Sequence, residues 1–84
     1  MIQEGRKLTH DLKILPEYFS AVREGLKTFE IRKNDRDYQV GDTVELLEYD
    51  RDHYTGDSLL CEITYITNYE QKEGYVVFSI NVMF

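Results

Sequence analysis

Alternation of apolar and polar positions dominates this chain. From Arg6 to Ile14, Leu8, His10, Leu12 and Ile14 share one parity and Lys7, Thr9, Asp11 and Lys13 the other, as in a half-buried strand. The period then changes. Leu15, Phe19, Val22 and Leu26 recur at helical spacing. Pro16 suits a first helical turn, and Glu17 stands near the positive end of the dipole. Gly25 suits the position just past a helix, where a left-handed φ brings no Cβ clash. These signals predict a helix from Pro16 to Glu24.

A strand follows at once in Gly25-Leu26-Lys27-Thr28-Phe29-Glu30-Ile31-Arg32. Its parity places Phe29 and Ile31 on one face, ready for a core, and Thr28, Glu30 and Arg32 on the other. Lys33 to Asp37 is a loop rich in turn formers. Tyr38 to Asp42 then leads into a strand from Thr43 to Tyr49, in which Val44 and Leu46 alternate with Thr43, Glu45 and Leu47. Asp50 to Asp57 reads as a charged loop. Leu59 to Thr67 reads as a strand with Leu59, Cys61, Ile63 and Tyr65 of one parity. After a third loop, Asn68 to Gly74, a last strand from Tyr75 to Val82 turns Val76, Phe78 and Ile80 the same way. About five strands and one early helix in 84 residues make a single, mainly β domain (α+β by content) spanning 1–84. Closure into a small β-barrel would hide the strand edges. An open sheet with the helix packed on one face is the alternative.

Charge alters this picture through its distribution. The chain carries 16 acidic and 10 basic residues, a formal charge of −6. Residues 1–36 are nevertheless net positive, with eight Lys/Arg against six Asp/Glu, whereas residues 37–84 hold two against ten. A polyanion is drawn to the first half and repelled by much of the second, which argues against a non-specific duplex coater and leaves room for a small anionic ligand. Cys61 is the sole cysteine, so no internal disulfide forms and a reducing compartment fits. No apolar run is long enough to span a bilayer, and Met1 to Lys7 lacks the apolar stretch of a secretory signal. A cytoplasmic protein with no membrane partner is expected.

The candidate chemistry centres on Lys27, Glu30 and Arg32. Glu30 and Arg32 stand two apart on one strand face, close enough to pair. One reading is an exposed ion pair, worth about 0–1 kcal/mol. The other is a polar cleft in which Lys27 and Arg32 meet phosphate or carbonyl oxygens while Glu30 accepts from a ligand or holds Arg32. His10 shares parity with Leu12 and Ile14 and is either a core histidine or part of the cleft wall. Lys13 immediately precedes the flanking helix. Arg36 and Lys33 lie in the following loop, where basic side chains can track a phosphate backbone. Tyr38, Tyr49 and Tyr54 are candidate stacking platforms. Asp50-Arg51-Asp52-His53 fails the calcium-loop pattern, with Thr55 where the turn glycine belongs and Cys61 where the closing glutamate belongs. One cysteine and two distant histidines make no structural zinc site. No metal and no cofactor are expected.

Gly25, Lys27, Glu30 and Arg32 spell Gly-x-Lys-x-x-Glu-x-Arg, which resembles the signature of the ASCH domain (activating signal cointegrator homology). His10-Asp11-Leu12-Lys13, the helix led by Pro16, Arg32-Lys33-Asn34-Asp35-Arg36 and Val40-Gly41-Asp42 resemble an uncharacterised bacterial and phage subgroup of that superfamily, so the likeness runs from about Leu8 to Ile80. The resemblance implies a PUA-like fold, a small β-barrel with a helix and a cleft where the signature residues gather. It also implies binding of RNA or a nucleotide-like small molecule, with Lys27, Glu30 and Arg32 lining the cleft and Gly25 shaping the turn before it. His10, Lys13 and Arg36 complete the expected nucleic-acid-binding set. Some small ASCH proteins are amidohydrolases acting on acetylated cytidine, with a lysine at the position of Lys27 and a threonine nucleophile three residues later. Here that later position is Glu30. The alternatives are therefore such a hydrolase, or a protein-interaction module whose acidic second half meets a basic partner. Oligomeric state is left open.

Overall fold

The structure, a computed structural model, describes residues 7–84. Strand β1 (Thr9–Ile14) is followed by helix α1 (Pro16–Arg23) and strands β2 (Phe29–Lys33), β3 (Thr43–Tyr49), β4 (Tyr54–Thr67) and β5 (Tyr75–Val82). All five strands form one sheet in the order β1-β3-β4-β5-β2. β1 runs parallel to β3, and the other pairs are antiparallel. The mainly β architecture with one early helix matches the expectation from alternation. Arg6, the expected first residue of β1, lies outside the described residues.

The sheet curls into a half-barrel whose edges are β1 and β2. These edges are not paired through backbone, yet side chains span them. Arg32 on β2 donates from Nη2 to Lys13 O on β1 at 2.8 Å. Arg36, just beyond β2, donates from Nη1 to Asp11 O at 2.6 Å. Thr43 N–H donates to Leu8 O, so the period of two turns the carbonyls of His10 and Leu12 toward β3 and those of Asp11 and Lys13 toward the open edge. Two guanidinium groups thus occupy acceptors that a bare edge would offer to another strand.

Inside the curl, β1 contributes Leu12 and Ile14, β3 Val44 and Leu46, β4 Cys61 and Ile63, and β5 Val76, Phe78 and Ile80. Phe19 and Val22 bring α1 into the same core. Full burial of such a side chain contributes about 1.5–3 kcal/mol, which is why this face decides the registers. Leu26 keeps helical spacing but is exposed. The helix has already been ended by Gly25 at φ +77°, with Leu26 N–H bonded to Ala21 O and Gly25 N–H to Val22 O.

Three local expectations are corrected. The faces of β2 are inverted: Glu30 is only 3% exposed, whereas Phe29 and Ile31 are 41% and 53% exposed. The β2–β5 register places Glu30 opposite Phe78 and Arg32 opposite Val76, on the inward face of β5. The partner strand and the exit of α1 set this parity, against the apolar content of β2 itself. Second, Tyr54 to Asp57 are strand, not loop, because Tyr49 pairs with Tyr54 and Leu47 with Ser58. The hairpin loop shrinks to Asp50–His53, closed by Asp50 Oδ1 accepting the Asp52 and His53 N–H groups at 3.1 and 3.0 Å. The His53 and Asp52 N–H donors hold the Asp50 carboxyl below its ordinary value. Third, an irregularity between Ile63 and Tyr65 breaks the parity of β4, so Tyr65 is exposed and Ile66 packs against the core.

Cys61 is fully buried, and desolvation, reinforced by the Glu30 carboxylate, pushes its thiol from an ordinary value of 9.0 up to about 11. The unfolded chain therefore ionises this thiol before the folded chain does. The associated stability is complete below pH 9.0 and is lost as pH rises toward 11. Urea denaturation at about pH 8 and about pH 10.5 is expected to show an alkaline loss in the wild type that is smaller in Cys61→Val. Equal alkaline losses in both proteins would remove the thiol from the account.

Candidate functional site

The C-terminal turn of α1 delivers the site. Lys27 N–H joins the same Ala21 carbonyl that ends the helix, at 3.1 Å, which places Lys27 at the entry of β2. From there the inverted parity sends Glu30 and Arg32 inward. A cleft of about 520 Å3 lies between the end of β1 and β2, lined by Lys13, Ile14, Leu15, Tyr18, Lys27, Phe29, Glu30, Ile31 and Arg32.

Glu30 is the centre of the arrangement. Its Oε1 faces Arg32 Nε at 2.9 Å and Nη2 at 2.7 Å, and its Oε2 accepts from Lys27 Nζ. Lys27 Nζ also donates to Phe29 O at 2.7 Å. The side chains of Lys27 and Arg32 are 18% and 25% exposed, so this is a partly buried cluster and not a surface ion pair. A carboxylate facing the core opposite Phe78 is tolerable because cations flank both oxygens. With both oxygens engaged, Glu30 orients the two cations and presents no free edge to a ligand. Arg32 keeps Nη1, and Lys27 keeps its third N–H, beyond the bonds made among the described residues. The cluster thus offers donors with a net charge of +1.

Aromatic faces complete the wall. Lys27 Nζ lies 4.8 Å from the Phe29 ring centroid and 5.8 Å from that of Tyr18. Both rings are more than two-fifths exposed. Tyr18 is a feature the sequence reading did not single out. Its one signal is the three-residue spacing from Leu15, which also lines the cleft.

The other expected residues are placed differently. Lys13 lines the cleft, and its Nζ stands 4.5 Å over Tyr49 and 5.7 Å from Tyr54, beside the edge-on contact of those two rings. Tyr49 and Tyr54 thus engage a lysine and do not line the cleft. His10 is in the core: its Nε2 donates to Asp42 Oδ2 at 2.8 Å, and its ring meets Tyr38 edge-on at 4.9 Å. It is not part of the cleft wall. Tyr38 is likewise buried, and that burial raises its phenol. Arg36 binds the β1 edge outside the cleft, and Lys33 ends β2 exposed. Among the described residues, no three His, Cys, Asp or Glu side chains gather as metal ligands, and no helix is long and apolar enough to cross a membrane.

Fold and site together define a small, mainly β domain with a charged cleft at the seam of an open half-barrel. The chain belongs to the family described as Domain of unknown function (DUF3850), whose model matches residues 9–80. It is also similar to the "Uncharacterized 12.9 kDa protein in GpA 3'region" of Escherichia phage P2, at 39% identity over 69 residues. That match covers 81% of this chain and 63% of the phage protein, so the chain spans less than two thirds of that relative.

Proposed function

We propose that this domain is an ASCH-type, PUA-like module that binds a nucleotide-sized ligand, above all one unstacked nucleotide of RNA, in the Lys27–Glu30–Arg32 cleft. One observation carries the reading. A single buried carboxylate aims two cations with spare donors into a cleft of about 520 Å3 walled by Tyr18 and Phe29. Fixed N–H donors suit phosphate or base carbonyl oxygens, and an aromatic face suits any base. A splayed nucleotide offers both groups at once, as a duplex does not. The acidic second half, by its repulsion of long polyanions, favours a short or single-stranded ligand. No observation favours the hydrolase alternative. Glu30, at the nucleophile position, is ion-paired, and Thr28 lies outside the cleft.

The test is titration of wild type, Lys27→Ala/Arg32→Ala and Tyr18→Ala against a panel of RNAs and nucleosides. The double variant is expected to bind at least about tenfold more weakly, a difference of about 1.4 kcal/mol. Tyr18→Ala alters an exposed side chain and so preserves the fold, and is expected to weaken binding by about 1–3 kcal/mol through lost stacking. Equally negligible binding by all three proteins would sink the reading.

A further inference from the structure

The unpaired edge of β2 borders the cleft. Ile80 N–H donates to Thr28 O, and Asn34 N–H donates to Gly74 O. In the β2–β5 register these bonds turn the backbone groups of Thr28, Glu30, Arg32 and Asn34 toward β5. The N–H and C=O groups of Phe29, Ile31 and Lys33 therefore point the other way, out of the sheet edge. The Phe29 carbonyl of this row accepts from Lys27 Nζ at 2.7 Å, so the row faces the charged cluster. Arg32 crosses the same edge to reach Lys13 O at 2.8 Å. Between those two bonds lies Ile31, which lines the cleft although its side chain is on the outer face of the sheet. Its N–H and C=O have no partner among the described residues. Lys33, the third of the row, does not line the cleft.

We infer that the Ile31 N–H and C=O read the base of the bound nucleotide, as a backbone donor and acceptor against its Watson–Crick edge. The inference rests on the nucleotide reading of the cleft and deepens it, by assigning the base contact to main chain. An extended residue at a sheet edge holds its N–H and C=O side by side, the pattern with which two antiparallel strands pair. Every base carries a donor next to an acceptor on its Watson–Crick edge, and an unstacked base leaves that edge open. The charged cluster cannot make this contact alone. Lys27 and Arg32 offer donors only, both Glu30 oxygens are engaged, and the Phe29 and Lys13 carbonyls already accept from Lys27 and Arg32. Ile31 C=O supplies the acceptor that the cluster lacks. The strand holds both groups in place, so no side chain has to be ordered to make the contact. Lys27 and Arg32 are then left for phosphate oxygens.

The experiment is an amide-resolved NMR titration of the full chain with AMP, GMP, CMP, UMP and ribose 5-phosphate, which lacks a base. The tightest nucleotide is expected to shift Lys27 and Arg32 and to slow hydrogen exchange of the Ile31 amide at least about tenfold at saturation. Ribose 5-phosphate is expected to shift Lys27 and Arg32 without slowing Ile31. Ile31→Pro removes an N–H that has no partner, on an edge strand, where proline is tolerated. It is expected to weaken the nucleotide at least about tenfold and to leave ribose 5-phosphate unchanged. Exchange in the wild type decides the matter alone if the proline variant does not fold. If a nucleotide shifts Lys27 and Arg32 but leaves Ile31 exchange unchanged, or binds a folded Ile31→Pro as it binds wild type, the base contact is refuted and the main-cleft reading stands. If none of the four nucleotides shifts the main cleft, both fall.

Discussion

Replacing Asp42 with alanine is expected to remove about 3–5 kcal/mol of folding stability and to lower Tm by more than about 12 °C. Asp42 is fully buried, and its carboxylate accepts from Leu8 N–H at 3.1 Å, Gln39 N–H at 3.2 Å and His10 Nε2 at 2.8 Å. Alanine leaves two backbone donors and an imidazole without that acceptor. Each orphaned group costs about 1–3 kcal/mol. The backbone of the same residue closes the turn, with Asp42 N–H on Gln39 O and Ile63 N–H on Asp42 O. Loss of the side chain therefore loosens the start of β1, the turn before β3 and the middle of β4 together. A domain of this size has about 4–13 kcal/mol in total, so the variant approaches the unfolding threshold. Asp42→Asn keeps an acceptor oxygen and is expected to cost less, about 1–2 kcal/mol. Thermal and urea melts of both variants measure this, and an alanine variant within about 1 kcal/mol of wild type would refute the network's importance.

The strands of the core were legible because their parity and their burial agree. Leu12 and Ile14, Val44 and Leu46, and Val76, Phe78 and Ile80 face inward as their alternation requires. Gly25 also marked the end of α1 correctly, since its φ of +77° is the conformation that the position demands. β2 was misread for a physical reason. Its own pattern offers Phe29 and Ile31 to a core, but its face is dictated by pairing with β5 and by the helix exit. A five-residue strand at an edge has too few side chains to overrule that register. Lys27, Glu30 and Arg32 do line one hollow, but Glu30 reaches it from the face of β2 that the alternation had assigned to Phe29 and Ile31.

What remained hidden depends on contacts distant in sequence. Parity admitted His10 to the core, but not its partner Asp42, 32 residues away. Likewise, nothing local marks Arg32 and Arg36 as caps on the carbonyls of Lys13 and Asp11, which only the curl of the sheet brings within reach. Those caps also explain how the half-barrel keeps its seam without strand pairing. The same arginine that closes the seam is oriented by Glu30 toward the cleft, so seam and site share one side chain.

That sharing underlies the second large effect. Lys27→Ala/Arg32→Ala is expected to cost about 3–5 kcal/mol, because it leaves the Glu30 carboxylate facing the core opposite Phe78 with neither counter-charge. By contrast, Lys27→Met/Glu30→Leu/Arg32→Met is expected to fold at least as stably as the double variant, and within about 1 kcal/mol of wild type. Replacing a buried ion cluster by apolar side chains of similar volume is commonly neutral or stabilising by about 1–4 kcal/mol. Against that stands the lost bond from Arg32 to Lys13 O, worth about 1 kcal/mol. On the proposed nucleotide reading, the triple variant should nevertheless bind no nucleotide, since the donors oriented by Glu30 have gone. Urea melts of the three proteins, each paired with a nucleotide titration, separate the two roles. A triple variant less stable than the double would mean that the charges support the fold in their own right. Recovery of stability without binding would mean that the chain keeps a costly buried carboxylate for what Lys27 and Arg32 hold, and not for the core it faces.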